Sequence, residues 1–120
     1  MTKNDLSLAL GQALLPVLCD NTRLARQVAE DIFKRYGTVS LMFGKRRFFD
    51  LFALSYDTLR FPKTNEDRLR AEELCELADS YDDVIPVLIP CSDDASEFVK
   101  NYERELESRY IIASPSVFIN

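Results

Sequence analysis

Polar and acidic residues gather where apolar runs stop. Asp20 and Asn21 follow Ala13-Leu-Leu-Pro-Val-Leu-Cys19, and Ser92-Asp93-Asp94 follow Val84-Ile-Pro-Val-Leu-Ile-Pro90 and Cys91. Carboxylates at such corners could hold a divalent ion or a substrate ammonium, but capping of the helices that start there explains them without a ligand. A third corner, Gly44-Lys45-Arg46-Arg47, could receive an anionic group or stand as a solvated basic turn. Cys19 and Cys91 end two apolar runs, so a metal or redox pair and two buried thiols are the alternatives there. The chain has three cysteines with no CxxC spacing and no histidine. That removes imidazole acid–base chemistry, Cys–His dyads and histidine-containing metal sites together. The first corner has no glycine to let backbone approach a pyrophosphate, and its aspartate would repel one, which argues against NAD or FAD binding.

The elements that position these corners alternate. Residues 13–19 read as a strand apolar on both faces, as a central parallel strand should be. Pro16 lacks an N–H and is expected near the strand start or at a bulge. Residues 22–36 read as a helix capped by Asn21, with Leu24, Val28, Ile32 and Tyr36 in steps of four and Gly37 as its stop. Residues 38–43 form the second strand. Phe48, Phe49, Leu51 and Phe52 suggest a short helix or a packed loop covering a sheet edge. Residues 56–61 alternate and read as an edge strand. Thr64 and Asp67 open a second long helix running to about Tyr81, with Ala71, Leu74, Cys75, Ala78 and Tyr81 inward. Residues 84–90 are the fourth strand. Ser92-Asp93-Asp94 start a third helix with Ala95, Phe98, Val99, Tyr102 and Leu106 inward. Residues 109–113 make a fifth strand, followed by a Ser114-Pro-Ser turn and a Val117-Phe-Ile stub.

Strands alternating with helices predict a three-layer, Rossmann-like α/β domain with a mostly parallel five-stranded sheet in the order 3-2-1-4-5. In such sheets ligands bind beyond the carboxyl ends of the strands where the winding reverses, here between the first and fourth strands. The same element count suits a phospho-relay receiver domain. That pocket needs an acidic pair after strand one, an aspartate ending strand three and a lysine after strand five. This chain offers Asp20-Asn21, Arg60-Phe61-Pro62 and Ser114-Pro115 instead, which rejects it.

The 120 residues suffice for one domain over 13–120, with residues 1–12 as an extension or short helix. A net charge of −5 argues against a general nucleic-acid or anionic-membrane binder. The absence of a signal-peptide pattern and of a membrane-length apolar run makes the cytoplasm the expected location.

Taken as an ordered set, several stretches resemble the pre-ATP-grasp N-terminal domain of ATP-grasp ligases. The nearest subset is the carbamoyl-phosphate-synthase-like or D-aspartate-ligase-like carboxylate–amine ligases. The stretches are Leu15-Pro-Val-Leu18 before the polar corner, Leu24-Ala-Arg26, Tyr36-Gly37, Gly44-Lys45 and Ser92-Asp93-Asp94, and they cover about residues 13–114. The resemblance implies a domain that packs on a separate ATP-grasp domain bearing ATP, magnesium and most catalytic residues. The whole enzyme would join a carboxylate to an amine through an acyl-phosphate, and this domain would help bind a substrate. Carried over by position, the substrate-binding candidates are Asp20, Asn21, Gly44, Lys45, Asp93 and Asp94, with no catalytic residue, metal or cofactor held in this chain. Two departures stand out. Leu18 and Cys19 occupy the places of a glycine pair, and the chain ends where the connection to the ATP-grasp domain should begin. The expectation is therefore a substrate-side domain, inactive alone, whose partner is an ATP-grasp domain in cis. The alternative is a stand-alone, non-enzymatic module that binds a protein partner or forms a homo-oligomer.

Overall fold

A computed structural model describes residues 13–44, 47–58 and 66–119. The expected extension over 1–12, and the expectations for Lys45, Arg46, Thr64 and the end of the third strand, lie outside these residues. In chain order the elements are β1 (Ala13–Cys19), α1 (Arg23–Tyr36), β2 (Ser40–Phe43), a 3₁₀ turn (Phe48–Phe52), β3 (Tyr56–Thr58), α2 (Asp67–Asp79), β4 (Val84–Pro90), α3 (Asp93–Asn101), α4 (Glu103–Glu107), β5 (Ile111–Ile112) and a final 3₁₀ turn (Pro115–Val117). The five strands form one sheet in the order β3-β2-β1-β4-β5, and every pairing is parallel.

The period-two alternation of the strands divides the core into two. Leu14, Leu18, Val87 and Ile89 face α1, where Ala25, Val28, Ala29 and Ile32 meet them together with Met42, Tyr56 and Phe118. Val17, Cys19, Phe43 and Leu88 face the other way, against Ala71, Leu74 and Ala78 of α2, Phe98 and Val99 of α3, and Leu106 and Tyr110. Helices on both faces explain why β1 and β4 carry almost no polar residue. They also place the reversal of winding between these two strands, as the residue pattern predicts.

Pro16 corrects an expectation. It lies in the interior of β1 and is buried. The Cys19 carbonyl accepts from Cys91 N–H, so it points toward β4. Backbone groups alternate along a strand, so position 16 points toward β2, whose pairing with β1 begins only at Val17. The missing N–H costs no ladder bond. The same reasoning covers Pro86. The Leu88 carbonyl faces β5, and β5 pairs with β4 only from Val87 onward.

Other boundaries shift for local reasons. Asn21 does not cap α1; the Thr22 hydroxyl does, accepting from Ala25 N–H at 3.1 Å. The second strand is shorter than expected, starting at Ser40. The second long helix stops at Asp79, where Ser80 Oγ donates to the Leu77 carbonyl at 2.7 Å, so Tyr81 lies past its end and is exposed rather than inward. The expected third helix is two helices, because Tyr102 leaves the helical region with φ −117° and ψ 24°. The fifth strand shrinks to two residues. Among the described residues, no helix is long and apolar enough to cross a membrane.

The terminal stub is part of the core. Ser114 caps the last turn, and Phe118 is fully buried against the α1-side cluster with Val117 and Ile119 beside it. Phe118→Ala should therefore cost about 3–5 kcal/mol, read as a lowered midpoint in urea unfolding. A shift below about 1 kcal/mol would mean that the stub is dispensable.

Candidate functional site at the carboxyl end of the sheet

Two strand ends and two helix starts are clasped together. The ladder between β1 and β4 runs one bond past the strands, Cys91 N–H donating to the Cys19 carbonyl at 2.6 Å. Each helix cap also reaches across. Thr22 Oγ donates to the Cys91 carbonyl at 2.8 Å while accepting from Ala25 N–H. Ser92 Oγ donates to Asp20 Oδ2 at 3.2 Å while accepting from Ala95 N–H at 2.9 Å. One hydroxyl thus satisfies an orphan N–H of its own helix and locks the opposite corner.

Asp20 sits in this clasp with φ 146°, a region that a residue with a Cβ rarely adopts. Its carboxylate accepts from Asn21 N–H at 3.1 Å as well as from Ser92, and its carbonyl accepts from Thr22 N–H. Gly44 closes the corner from the β2 side. A Cβ there would lie 2.6 Å from Asn21 N and 3.1 Å from Asp20 Oδ1, so only glycine lets the two corners meet. This packing against backbone is what Gly44 does.

Behind the clasp lies a polar network that the residue pattern did not reveal. Asp50 is buried. Its carboxylate accepts from Tyr56 OH at 2.5 Å, Arg47 N–H at 2.6 Å and Asn21 Nδ2 at 2.7 Å. The Asn21 carbonyl oxygen accepts from the Arg26 guanidinium at 3.1 Å, and that guanidinium lies 4.8 Å over the Phe49 ring. Burial pushes the Asp50 carboxyl up, but the three hydrogen bonds and the Arg26 charge outweigh it and hold the group below its ordinary 3.8. Burial, together with the Asp50 carboxylate, pushes the Tyr56 hydroxyl up to about 12.

In front of the clasp, between the first turns of α2 and α3, is a cavity of about 380 Å³. Asp20 and Cys19 form its floor. Asp67 and Arg70 line it from α2, and Asp94, Glu97 and Phe98 from α3. Four carboxylates and one guanidinium therefore line the same cavity. Arg70 reaches Asp67 only at 3.9 Å, its Nε is buried without a hydrogen-bond partner, and its charge lies 5.8 Å from the Phe98 ring.

Of the six candidate positions, Asp20 and Asp94 line this cavity. Asn21 is turned away into the Asp50 network, Gly44 is packed against the corner, and Asp93 is an exposed residue of the first turn of α3 outside the lining. Lys45 lies outside the described residues. Arg70, Asp67 and Glu97 join the site without having been singled out. Their only signal was their place in the first turns of helices that follow strands.

The two thiols do not form a pair. Cys19 belongs to the α2-side core and Cys91 to the α1-side core, so they point to opposite faces of the sheet. Burial pushes each thiol up to about 12 from 9.0, which keeps both protonated and poor as nucleophiles or metal ligands. Among the described residues, no three His, Cys, Asp or Glu side chains are grouped as a metal would need.

Two measurements check this description. Asp50→Ala strands a buried Tyr56 hydroxyl, an Asn21 amide and the Arg47 N–H; the expected loss is about 3 kcal/mol of unfolding free energy. Alkaline pH should destabilise the fold through the thiols. The unfolded chain releases these protons near 9.0 while the folded chain holds them to about 12. Stability is thus complete below pH 9 and falls as the pH rises toward 12. Denaturation midpoints at about pH 8 and about pH 10.5 should show the decline, and replacing Cys19 and Cys91 by alanine should reduce it to the smaller share carried by Cys75 and Tyr56, which burial also holds protonated. An equal decline in the double variant would assign it to other groups.

The chain has no significant match to a family model, a curated protein or a solved structure.

Proposed function

We propose that this chain is the substrate-side domain of an ATP-grasp-type carboxylate–amine ligase, working in the cytoplasm and inactive without an ATP-binding partner domain. One observation carries the reading. The cavity lies at the carboxyl end of β1, where the winding reverses, and it is lined by charge of both signs. An excess of carboxylates around a single arginine suits a small substrate that bears an amine together with a carboxylate. The ammonium would lie toward Asp20 and Asp94 and the carboxylate toward Arg70. The clasp holds Asp20 rigid, so the ligand would meet a preorganised group rather than order one.

The residues present do not fit a nucleotide. Leu18 and Cys19 stand where a glycine pair would let backbone approach a ligand, and the carboxylates of Asp20, Asp67, Asp94 and Glu97 repel a polyphosphate. In this reading ATP and magnesium would be held by the partner domain, and this chain would bind and orient the substrate. A second reading, a stand-alone module for protein binding or self-association, is favoured by the exposed apolar side chains of the Phe48–Phe52 turn.

Titrating labelled chain with a panel of amino acids, and separately with Mg-ATP, tests the first reading by NMR. Amino acids should shift the amides around Asp20, Arg70 and Asp94, and Mg-ATP should leave them unmoved. Arg70→Ala should weaken amino-acid binding about tenfold or more. Saturable Mg-ATP binding in the cavity, or indifference to every amine-bearing compound, would sink it.

A further inference from the structure

The 3₁₀ turn between β2 and β3 is built inside out. Its one charged residue, Asp50, is buried, and its apolar residues face solvent. Phe48 is 79% exposed, Phe49 47%, Leu51 55%, Phe52 72% and, just beyond, Leu54 83%. An ordinary surface turn has the opposite pattern, since exposed rings forgo their burial free energy. The arrangement is not slack. Asp50 binds the turn to Asn21, Arg47 and Tyr56, Arg26 supports the Phe49 ring at 4.8 Å, and Phe48 and Phe52 meet edge to face at 5.8 Å. The platform is therefore preorganised, and docking on it would cost little ordering.

We propose that this turn is the contact face of a homodimer in which each copy lays its turn on that of the other. The area argues for a second copy. With on the order of 200 Å² per large apolar side chain, the five exposed fractions offer roughly 700 Å² per copy. A standard specific interface takes about 800 Å² per partner. A twofold axis through the turn covers both patches at once and needs no complementary groove elsewhere on the molecule. Charge does not select the second copy, but it fixes how salt should act. At a net charge of −5 the chain is repelled as a whole by an anionic membrane, by an acidic partner and by a second copy, although Lys45, Arg46 and Arg47 precede the turn. Two copies joined through apolar side chains repel one another only through net charge, which salt screens. Salt should thus strengthen a dimer and weaken any contact made through the three basic residues.

Sedimentation velocity on the 120-residue chain from roughly 1 to 200 µM tests the proposal. The expected result is a monomer–dimer equilibrium with Kd on the order of 10 µM, tightening as salt rises from about 0.05 to about 0.5 M. The Phe52→Ser/Leu54→Ser double variant should be monomeric throughout. Leu54→Ser alone changes a side chain outside the core and should weaken the dimer about tenfold. Three results would overturn the proposal: a wild-type monomer at the highest concentration, a dimer that survives both variants, or a monomer that binds vesicles of anionic lipid through the turn at low salt. Each leaves the substrate reading standing, because the NMR titration reads the cavity and not the turn.

Discussion

The hydrogen-bonded clasp between the ends of β1 and β4 is the constraint on which the rest depends. Two parallel strands at the centre of a sheet bring two helix N-termini side by side, with their unpaired N–H groups and positive dipole ends at the same place. Left open, that place would hold water. Here Thr22 and Ser92 each serve their own helix and the opposite corner. The two βα units are thereby locked at a fixed spacing, and Asp20 is held in a backbone conformation that costs about 1–3 kcal/mol on its own. The contacts to Ser92 Oγ and the Asn21 N–H offset that cost. The cavity lies on the side of α2 and α3, where Asp67, Arg70, Asp94 and Glu97 line it.

Much of the fold was legible because its signals are short-range and agree with one another. The doubly apolar runs at 13–19 and 84–90, the four-residue steps of α1 and the turn residues between them specify a parallel sheet and its order without tertiary knowledge. The misplacements occur where a distant partner overrides a local preference. Asn21 and Thr22 are both good caps; Asp50, 29 residues away, claims the asparagine and leaves the threonine to cap. Pro16 looks like a flaw in a strand until the short β2 shows that its nitrogen meets no partner. Phe118 reads as part of a loose end because nothing nearby in sequence says that the α1-side core needs one more ring.

The site divides in the same way. Asp20 and Asp94 were legible because the corners after strands in a wound sheet border the crevice, although Asn21 and Asp93 in the same corners turn elsewhere. Asp50 was not. In Phe48-Phe49-Asp50-Leu51-Phe52 the default is to turn the carboxylate out and the rings in, and only three waiting donors reverse that choice. Arg70 was hidden for a different reason. A basic residue one turn into an amphipathic helix is usually a solvated neighbour, and its meaning comes from the carboxylates of α3 and of the corner after β1, which are remote in sequence.

The Asn21–Asp50 contact gives these observations one frame. Asn21 belongs to the corner that carries Asp20, and Asp50 belongs to the turn that carries the exposed rings, so one buried hydrogen bond of 2.7 Å joins the cavity rim to the apolar platform. Its neighbours reinforce it: Arg26 from α1 on one side, Tyr56 from the edge strand on the other. A charge-assisted bond with both partners buried is costly to break, because neither group can fall back on water. Asp20, the clasp and the platform are therefore linked through one chain of hydrogen bonds, while the remaining cavity lining comes from α2 and α3. The position of Asp20 in the cavity and that of the exposed rings are thus set by the same buried contact, and a change at Asn21 or Asp50 acts on both.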